Sequence, residues 1–495
     1  MHSERLTLTR LWTLILLIAV LASGCISSPP SPDAGEEVLQ LTVFYTSDEH
    51  GWMAGEQADA GAANLFGLWR QNGYTEDGAY LILSGGDNWT GPAISTWFDG
   101  QGMVDVMNAM DYSASVIGNH EFDFGLDTLK TRLSQAEFPY LAANIRWKDS
   151  QAFPSDLSIL PYTLLPVGGA TVAVIGLTSM QVPTLSDPKI VSGLEFLDYE
   201  QTLRQYVPEV RQAGADLVLV PTHVCVDELQ RLSRQVADLH IDMFGGGHCH
   251  QLLADEVDGT LLLAGGSNLR GYTWATFSID LASENITLDD YGVEQNQGGE
   301  PDSQVAALVA EWQAKTDAEL DVTVGYLQNE IPQHSQTMQN LVTHTWLLAN
   351  PNADVAITNM GGFRDKLPGG ELTLKDIVSV LPFDDVLVQA QLTGSELLRV
   401  LKTGSSGPAV GGMHQVGGRW VLDRTDQPLD STAIYTVVIT DYMYAGGAGY
   451  KLIETFDPEA YNTGIDWRQP VIDWIRAQKS TSQNPLDAAL RALVE

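Results

Sequence analysis

Between residue 39 and about residue 295, short apolar runs rich in β-branched and aromatic residues alternate with segments of helical spacing, and this alternation restricts the chain to a layered α/β architecture. The clearest runs are LQLTVFYTS, AYLILSG, SASVIG, ATVAVIGLT, ADLVLVPT and IDMFGGG. Between them, Gly125 to Gln135 sets Leu126, Leu129 and Leu133 on one helix face, and Tyr199 to Ala213 does the same with Leu203, Tyr206, Val207 and Val210. These stripes read as core contacts. A polar, Gly-rich break at Glu294 to Pro301 precedes a helical stretch, Gln304 to Leu320, which reads as an interdomain connector. A second alternating unit follows, with DVTVGYL, ADVAIT, VLVQAQL and IYTVVIT as strands and Met338 to Ala349 and Ser395 to Leu401 as helices. At 495 residues the chain exceeds what one core holds, so two domains are expected, 38–300 and 321–495, joined by 301–320. No repeat of short period is present.

The first 24 residues have the pattern of an export signal: Arg5 and Arg10, an apolar run from Leu11 to Ala22, then Ser23-Gly24-Cys25. The run is about 12 residues, short of the roughly 20 that span a bilayer as a helix. Leu21-Ala22-Ser23-Gly24-Cys25 resembles a bacterial lipobox, which implies cleavage before Cys25 and lipidation of that residue; an ordinary secretory signal with an incidental cysteine is the alternative. Residues 25–37 are then a Ser-, Pro- and acid-rich tether. Ile26 follows Cys25 in place of the Asp that often marks inner-membrane retention, which points to an outer-membrane lipoprotein facing the periplasm or exterior, touching membrane through its lipid anchor only.

A net charge of −37 disfavours nucleic acid and other polyanions as partners. Only Cys225 and Cys249 remain after Cys25, too few for a disulfide framework. Both adjoin histidines, so one disulfide and a thiolate ligand are open alternatives. If an alternating backbone aims His248 and His250 inward, Cys249 points away from them, and a buried or free thiol is the expected state.

Five histidines, two aspartates and an asparagine follow apolar strands in five separate segments: Ser47-Asp48-Glu49-His50-Gly51, Gly85-Gly86-Asp87-Asn88, Gly118-Asn119-His120-Glu121, Pro221-Thr222-His223 and Gly246-Gly247-His248-Cys249-His250. The carboxyl ends of strands are where α/β sheets bind ligands, so residues distant in sequence can converge on one rim. Carboxylate oxygen with imidazole nitrogen suits Zn, Mn, Fe or Co better than Mg or Ca. Asp48 and His50 can point the same way from an extended segment, and His248 and His250 repeat that spacing. With Asp87 able to bridge, these groups make two sites of about four ligands each, roughly 3.5 to 4 Å apart. Flanking glycines allow tight turns and leave room for ion and substrate.

On these residues the chain resembles the calcineurin-like metallophosphoesterases, and within them the bacterial 5′-nucleotidase and UDP-sugar hydrolase type, from about Leu39 to Leu493. The strongest stretch is GGDNWTGPAISTWFDGQGMVDVMNAMDYSASVIGNHEFDFG, Gly85 to Gly125, which matches the family's GD and GNHEFD blocks. The resemblance implies a four-layer domain, a β-sandwich flanked by helices, plus a smaller α/β C-terminal domain. It implies two divalent ions, Zn, Mn, Co or Fe, the first held by Asp48, His50, Asp87 and His250 and the second by Asp87, Asn119, His223 and His248. His120 and Asp123 match the catalytic dyad.

Phosphate monoesters resist hydrolysis because their oxygens repel the nucleophile and water is a poor one at neutral pH; two divalent ions address both obstacles. His120 is expected beside the phosphoryl group, able to protonate the leaving oxygen, with Asp123 holding its ring. Asn359-Met360-Gly361-Gly362-Phe363-Arg364 resembles the NGGGIR block, in which the Arg binds phosphate and the glycines admit close backbone approach. Phe383 in Leu381-Pro382-Phe383, and Tyr442 after Asp441, match the two rings that sandwich a base.

Two positions depart from that type. The acid that bonds the ribose hydroxyls is replaced by Ala448, and Pro332 to Leu341 lacks a phosphate-binding Arg, with His334 the candidate substitute. The implied activity is hydrolysis of a small-molecule phosphoester, a nucleotide first. A same-fold hydrolase of a UDP-sugar, cyclic phosphodiester, sugar phosphate or sulfur ester is the nearest rival; intact Asn119-His120 speaks against the last. A noncatalytic ligand-binding lipoprotein would have no need of the clustered ligands and the dyad.

Overall fold

The structure, a computed structural model, describes residues 38–57, 59–283, 285–405 and 407–493. The export signal, Cys25 and the tether lie outside the described residues.

The first domain is two six-stranded sheets packed face to face. One runs in the order Asn285–Gln295, Gly271–Asp280, Val38–Thr46, Tyr80–Ser84, Ala114–Val116, Tyr140–Leu141. The other runs Leu252–Val257, Thr260–Gly265, Met243–Gly246, Leu217–Pro221, Ala170–Ile175, Tyr162–Val167. Central strands pair in parallel; antiparallel hairpins close both edges of the second sheet and one edge of the first, whose other edge strand, Tyr140–Leu141, pairs in parallel with Ala114–Val116. Leu41, Val43, Leu83, Val172, Leu219 and Met243 fill the space between the sheets. Because a central strand is covered on both faces, its alternate residues are apolar too: Phe44 and Ile82 pack outward against Trp69 and Met103 of the helices Ala62–Gln71 and Gln101–Ala109. On the far side, Leu203 and Val207 of Tyr199–Gln212 and Leu229 of Val226–Gln235 cover the second sheet. Helix, sheet, sheet and helix make four layers.

The helix Ser303–Leu320 is more than a connector. Val305 and Trp312 are buried in the first domain's outer core, and Leu320 meets Ala93 and Val378 where the two domains touch. The second domain is built on a five-stranded mixed sheet ordered Pro408–Gly411, Val355–Asn359, Ile434–Thr440, Val386–Thr393, Tyr461–Asp466. Gln336–Ala349 and Gln469–Ala477 cover one face around Trp346 and Trp467, and Gly394–Val400 covers the other around Leu397 and Ile439. No helix among the described residues is long and apolar enough to cross a membrane.

Candidate functional site

The parallel central strands of the first domain end on one rim, and the five predicted segments leave the sheets there. Asp48, His50 and His250 form one group whose ligand atoms lie within 4.8 Å of one another, and Asp87, His223 and His248 form another; His50, Asp87 and His120 form a third between them. Asn119 lies beside Asp87 and His120 on the wall of the same cavity.

The local backbone differs from the extended form expected for Asp-x-His. Asp48, His50, Asp87, His248 and His250 all have positive φ, between 47° and 68°. A non-glycine residue in this left-handed region costs about 1–2 kcal/mol. Five in one place is strain concentrated at a site, and the surroundings hold it there. Glu121 is fully buried and its carboxylate accepts from the backbone N–H groups of Asp87 (2.9 Å), Asn88 (2.6 Å) and Gly118 (2.6 Å). Glu49, equally buried, accepts from Thr46 Oγ1, Ser84 Oγ and Asn88 Nδ2 at 2.5, 3.0 and 2.6 Å. The two acids stand in the predicted segments but sequence spacing assigned them no task; their work is to fix the turns that carry the ligands.

Imidazole orientation follows from hydrogen bonding. A carbonyl only accepts, so His223 Nδ1 donates to Gly85 O (2.8 Å) and His50 Nδ1 to Thr90 O (3.1 Å), leaving each Nε2 with its lone pair toward the site. His50 Nε2 then faces His250 Nε2 at 3.2 Å. Two imidazole nitrogens at that distance share at most one proton, and a cation between them satisfies both. Buried Asn119 Oδ1 and His223 Nε2 have no hydrogen-bond partner; the latter lies 3.0 Å from Asp87 Oδ2 without the alignment of a hydrogen bond. Buried polar atoms are normally paired, so these orphans, with two carboxylates among four imidazoles, fit a pair of divalent ions. Desolvation pushes the pKa of His248 down to about 4 and that of His50 well below its usual value, and desolvation with the nearby Arg364 guanidinium brings His250 to about 4 although its side chain is 46% exposed, keeping all three neutral as ligands must be. Burial opposes charge on Asp87 and His223 as well, but without an ion their attraction prevails, holding Asp87 well below the usual carboxylate range and lifting His223 to about 10, so that His223 would give up its Nε2 proton to an ion that took that proton's place.

His120 Nδ1 donates to Asp123 Oδ2 at 2.6 Å, and its backbone N–H donates to Asp87 Oδ1 at 2.8 Å. The ring thus stands against the metal-type cluster with its other nitrogen free.

A cavity of about 380 Å³ joins this rim to the second domain, lined there by Asn359, Gly361, Gly362, Arg364, Phe383 and Tyr442. Arg364 Nη2 lies 3.3 Å from both ring nitrogens of His50. Phe383 lies parallel to His120, centroids 5.9 Å apart and planes 19° apart. Tyr442 packs its ring on the Gly447 backbone, where a Cβ would overlap it, and its hydroxyl donates across the domains to Leu185 O (2.8 Å) while accepting from Ala448 N (2.9 Å). The expected metal, dyad and second-domain site residues therefore all lie at this cavity or in the clusters beneath it, and His334 does not.

Three expectations are corrected or extended. Cys225 and Cys249 are not free thiols: they form a disulfide, with Cα atoms 5.2 Å apart. The backbone at His248 and His250 is left-handed and does not alternate, and Cys249 meets Cys225 in the loop that follows the neighbouring strand Leu217–Pro221. His334 is exposed and does not line the cavity, so it is no substitute for the missing Arg. Sequence reasoning also missed an acidic wall of Asp187, Asp385 and Asp441. Burial, with Asp441 and Asp187 nearby, lifts the Asp385 carboxyl well above its usual range. Adjacency to Phe383 was a signal for Asp385; Asp187 comes from a first-domain loop with no pattern to mark it.

Residues 313–455 match the family described as 5′-nucleotidase, C-terminal domain. The chain is 26% identical to a 5′-nucleotidase of Vibrio vulnificus over 529 aligned residues, covering 91% of this chain and 92% of that one. It is also 26% identical to Protein UshA of Yersinia enterocolitica, covering 92% and 93%. The fold is similar to that of a 5′-nucleotidase precursor from Thermus thermophilus, with a TM-score of 0.76, 21% identity, and 90% of this chain and 97% of that chain covered. With two metal-type clusters on the first domain and a match to the 5′-nucleotidase C-terminal domain over residues 313–455, the chain is a 5′-nucleotidase-like phosphoester hydrolase.

Proposed function

We propose that the protein is an exported 5′-nucleotidase that releases phosphate from nucleoside 5′-monophosphates at the cell envelope, anchored through a lipid on Cys25. The observation that carries the reading is one cavity bounded by two carboxylate–imidazole clusters, the His120–Asp123 pair and Arg364. Asp48, His50, Asp87 and His250 would hold one divalent ion and Asp87, Asn119, His223 and His248 the other. The chemistry supplied by such ions when bound would be an acidified water as nucleophile and positive charge against the phosphoryl oxygens.

The chain's own groups do the rest. Arg364, planar and always charged, binds phosphoryl oxygens and sets the ester in line with the clusters. Asp123 fixes the His120 ring so that its free nitrogen faces the cavity and hands a proton to the leaving oxygen. Phe383 and Tyr442 flank the base, and closure of the second domain over the rim excludes bulk water. The Cys225–Cys249 disulfide supports export, since disulfides persist in oxidising compartments.

Ala448 favours a second reading, a related phosphoester such as a sugar phosphate or UDP-sugar, because no acid stands where ribose hydroxyls would be held. Asp385 and Asp187 line the same cavity and offer acceptors in its place. Product formation decides between them: phosphate from nucleoside monophosphates and sugar phosphates, UMP with a sugar 1-phosphate from UDP-sugars, and a nucleoside monophosphate from cyclic nucleotides, with Mn, Zn or Co and an Asp87→Ala control. Metal-dependent release from nucleoside monophosphates, lost in the control, is expected; turnover confined to another ester refutes the nucleotide assignment. Cys25→Ser is expected to free the protein from the membrane fraction, and continued membrane retention counts against the anchor.

A further inference from the structure

Cys225 and Cys249 join the two loops that carry three of the metal-type histidines. Cys225 lies two residues past His223, and Cys249 lies between His248 and His250. The roots of these loops are already tied: Phe244 pairs with Val220 in the sheet, and Thr222 N donates to Gly245 O at 2.8 Å. Further out the ties are few. Gly247 N reaches Val224 O at 3.1 Å and His248 N reaches the Asp48 carboxylate at 3.0 Å, whereas Cys249 N bonds only within its own loop, to Gly247 O at 2.8 Å.

His248 and His250 hold φ of 68° and 55°, conformations that side-chain-bearing residues adopt only when something imposes them. Burial does not impose them at Cys249, which is exposed, nor at His250, whose side chain is 46% exposed. Position 225 adds a second observation. It is the N-cap of the helix Val226–Gln235, yet it makes no side-chain cap hydrogen bond. Ser, Thr, Asp or Asn would cap that helix, so the site gives up a cap and carries a crosslink instead.

We infer that the Cys225–Cys249 disulfide is a positioning device for metal uptake: it holds the outer loop in the left-handed turns that aim His248 at the Asp87–His223 cluster and His250 at the Asp48–His50 cluster. The inference rests on the two-metal reading above. A disulfide that merely constrained the unfolded chain would stabilise the metal-free and metal-loaded protein alike. A positioning crosslink also tightens metal binding, because the rings are placed before the ion arrives. Cys225→Ser supplies the missing helix cap, so the double variant Cys225→Ser/Cys249→Ser removes the link with least damage to the helix.

The experiment uses the full mature chain, stripped of metal and titrated with Zn or Mn against a chromophoric chelator, with thiols counted by alkylation of the denatured protein. The wild type is expected to show no free thiol at these positions. The double variant is expected to bind metal at least about ten-fold more weakly and lose it faster to chelator, in the range produced by removing outer-shell support. Its turnover at saturating metal is expected to recover, which a lost catalytic group would not permit. Should the variant fail to fold, the release rate is read from folded wild type before and after reduction with a phosphine. Equal affinity and release rate with and without the link, or free thiols in the wild type, overturns the inference. A wild type that binds neither metal refutes the two-metal reading itself, a separate result.

Discussion

Gly118 is the position at which a single methyl group tests the metal centre most directly. It sits between the strand Ala114–Val116 and Asn119, packed on the turn that carries Asp87. A Cβ there would press on Asp87 Oδ1 and stand 2.7 Å from Asp87 N and 2.8 Å from Cγ, where ordinary contact begins at 3.4 Å. The carboxylate must therefore retreat by about 0.6 Å at Cγ, and further at Oδ1. The backbone N–H cannot yield freely, because Glu121 holds it at 2.9 Å. A site of this kind tolerates about 0.5 Å of misplacement, and about 1 Å costs on the order of a hundred-fold in rate. Gly118→Ala is thus expected to lose between about ten- and a hundred-fold in metal affinity, and overpacking is expected to cost about 1–3 kcal/mol of stability. Gly125→Ala is the control: its φ is +83° and its Cβ meets nothing within 4 Å, so it costs about 1 kcal/mol of backbone strain and leaves metal binding alone. Chelator competition and denaturant titration of both variants separate the effects. Wild-type metal affinity in Gly118→Ala would refute the assignment of Asp87 as a fixed shared ligand.

His120→Ala is expected to lower kcat by about 10²- to 10⁴-fold with both metals retained, as read by steady-state kinetics beside metal analysis; loss of one metal equivalent would make His120 a ligand instead. The metal-free protein is expected to lose stability between pH 6.5 and 10. The His223 imidazolium, opposed by burial but raised to about 10 by Asp87 and Asp48, stabilises fully below its unfolded value of 6.5, and this is lost as pH rises through 10. Asp48, raised by burial to about 8, acts in the same direction. Denaturant midpoints of chelated samples check this, and a midpoint that is flat or climbs over that range contradicts it. A crosslink that holds the two domains apart is expected to abolish turnover and leave metal content unchanged; full activity in that form would show that Arg364 and Phe383 need not reach the rim.

The parts of the site that were legible in the sequence are those whose residues sit in short segments at strand ends. Asp48 with His50, Asp87, Asn119 with His120, His223, and His248 with His250 each follow an apolar run, and parallel pairing of those runs brings them to one rim. The backbone that presents them was not legible. A spacing of one residue suits an extended segment, but here Asp48 and His50 reach the same place from left-handed turns, which depend on Glu49 and Glu121 bonding groups up to 39 residues away. The disulfide was missed for a related reason: Cys225 and Cys249 are 24 residues apart and meet only because their strands are neighbours. Asp187 faces Asp385 and Asp441 across the domain boundary, a proximity that no local pattern encodes.

That boundary explains how a site can be complete and still admit a substrate. Arg364 Nη2 stands 3.3 Å from the His50 ring and Phe383 lies along His120, so the phosphate-binding and base-binding groups already touch the hydrolytic ones. A phosphoryl group that reaches both has to pass between them. Beyond those contacts, what holds the halves together is modest: the cluster of Ala93, Leu320 and Val378, the bond from Ala93 N to Ser379 Oγ at 3.0 Å, the bond from Tyr442 to Leu185 O, and the partly exposed Lys375–Asp317 ion pair at 2.6 Å. A few apolar contacts, neutral hydrogen bonds and one partly exposed ion pair, each worth about 1 kcal/mol or less net, can be exchanged for contacts with water as the domains part. The large cores lie within the domains, around Trp69 and Trp312 on one side and Trp346 and Trp467 on the other, so opening costs little of what keeps either domain folded. Strain is stored where the ligands must be rigid, at the five left-handed residues, and weakness where the molecule must move, at the seam between Ser379 and Ala93.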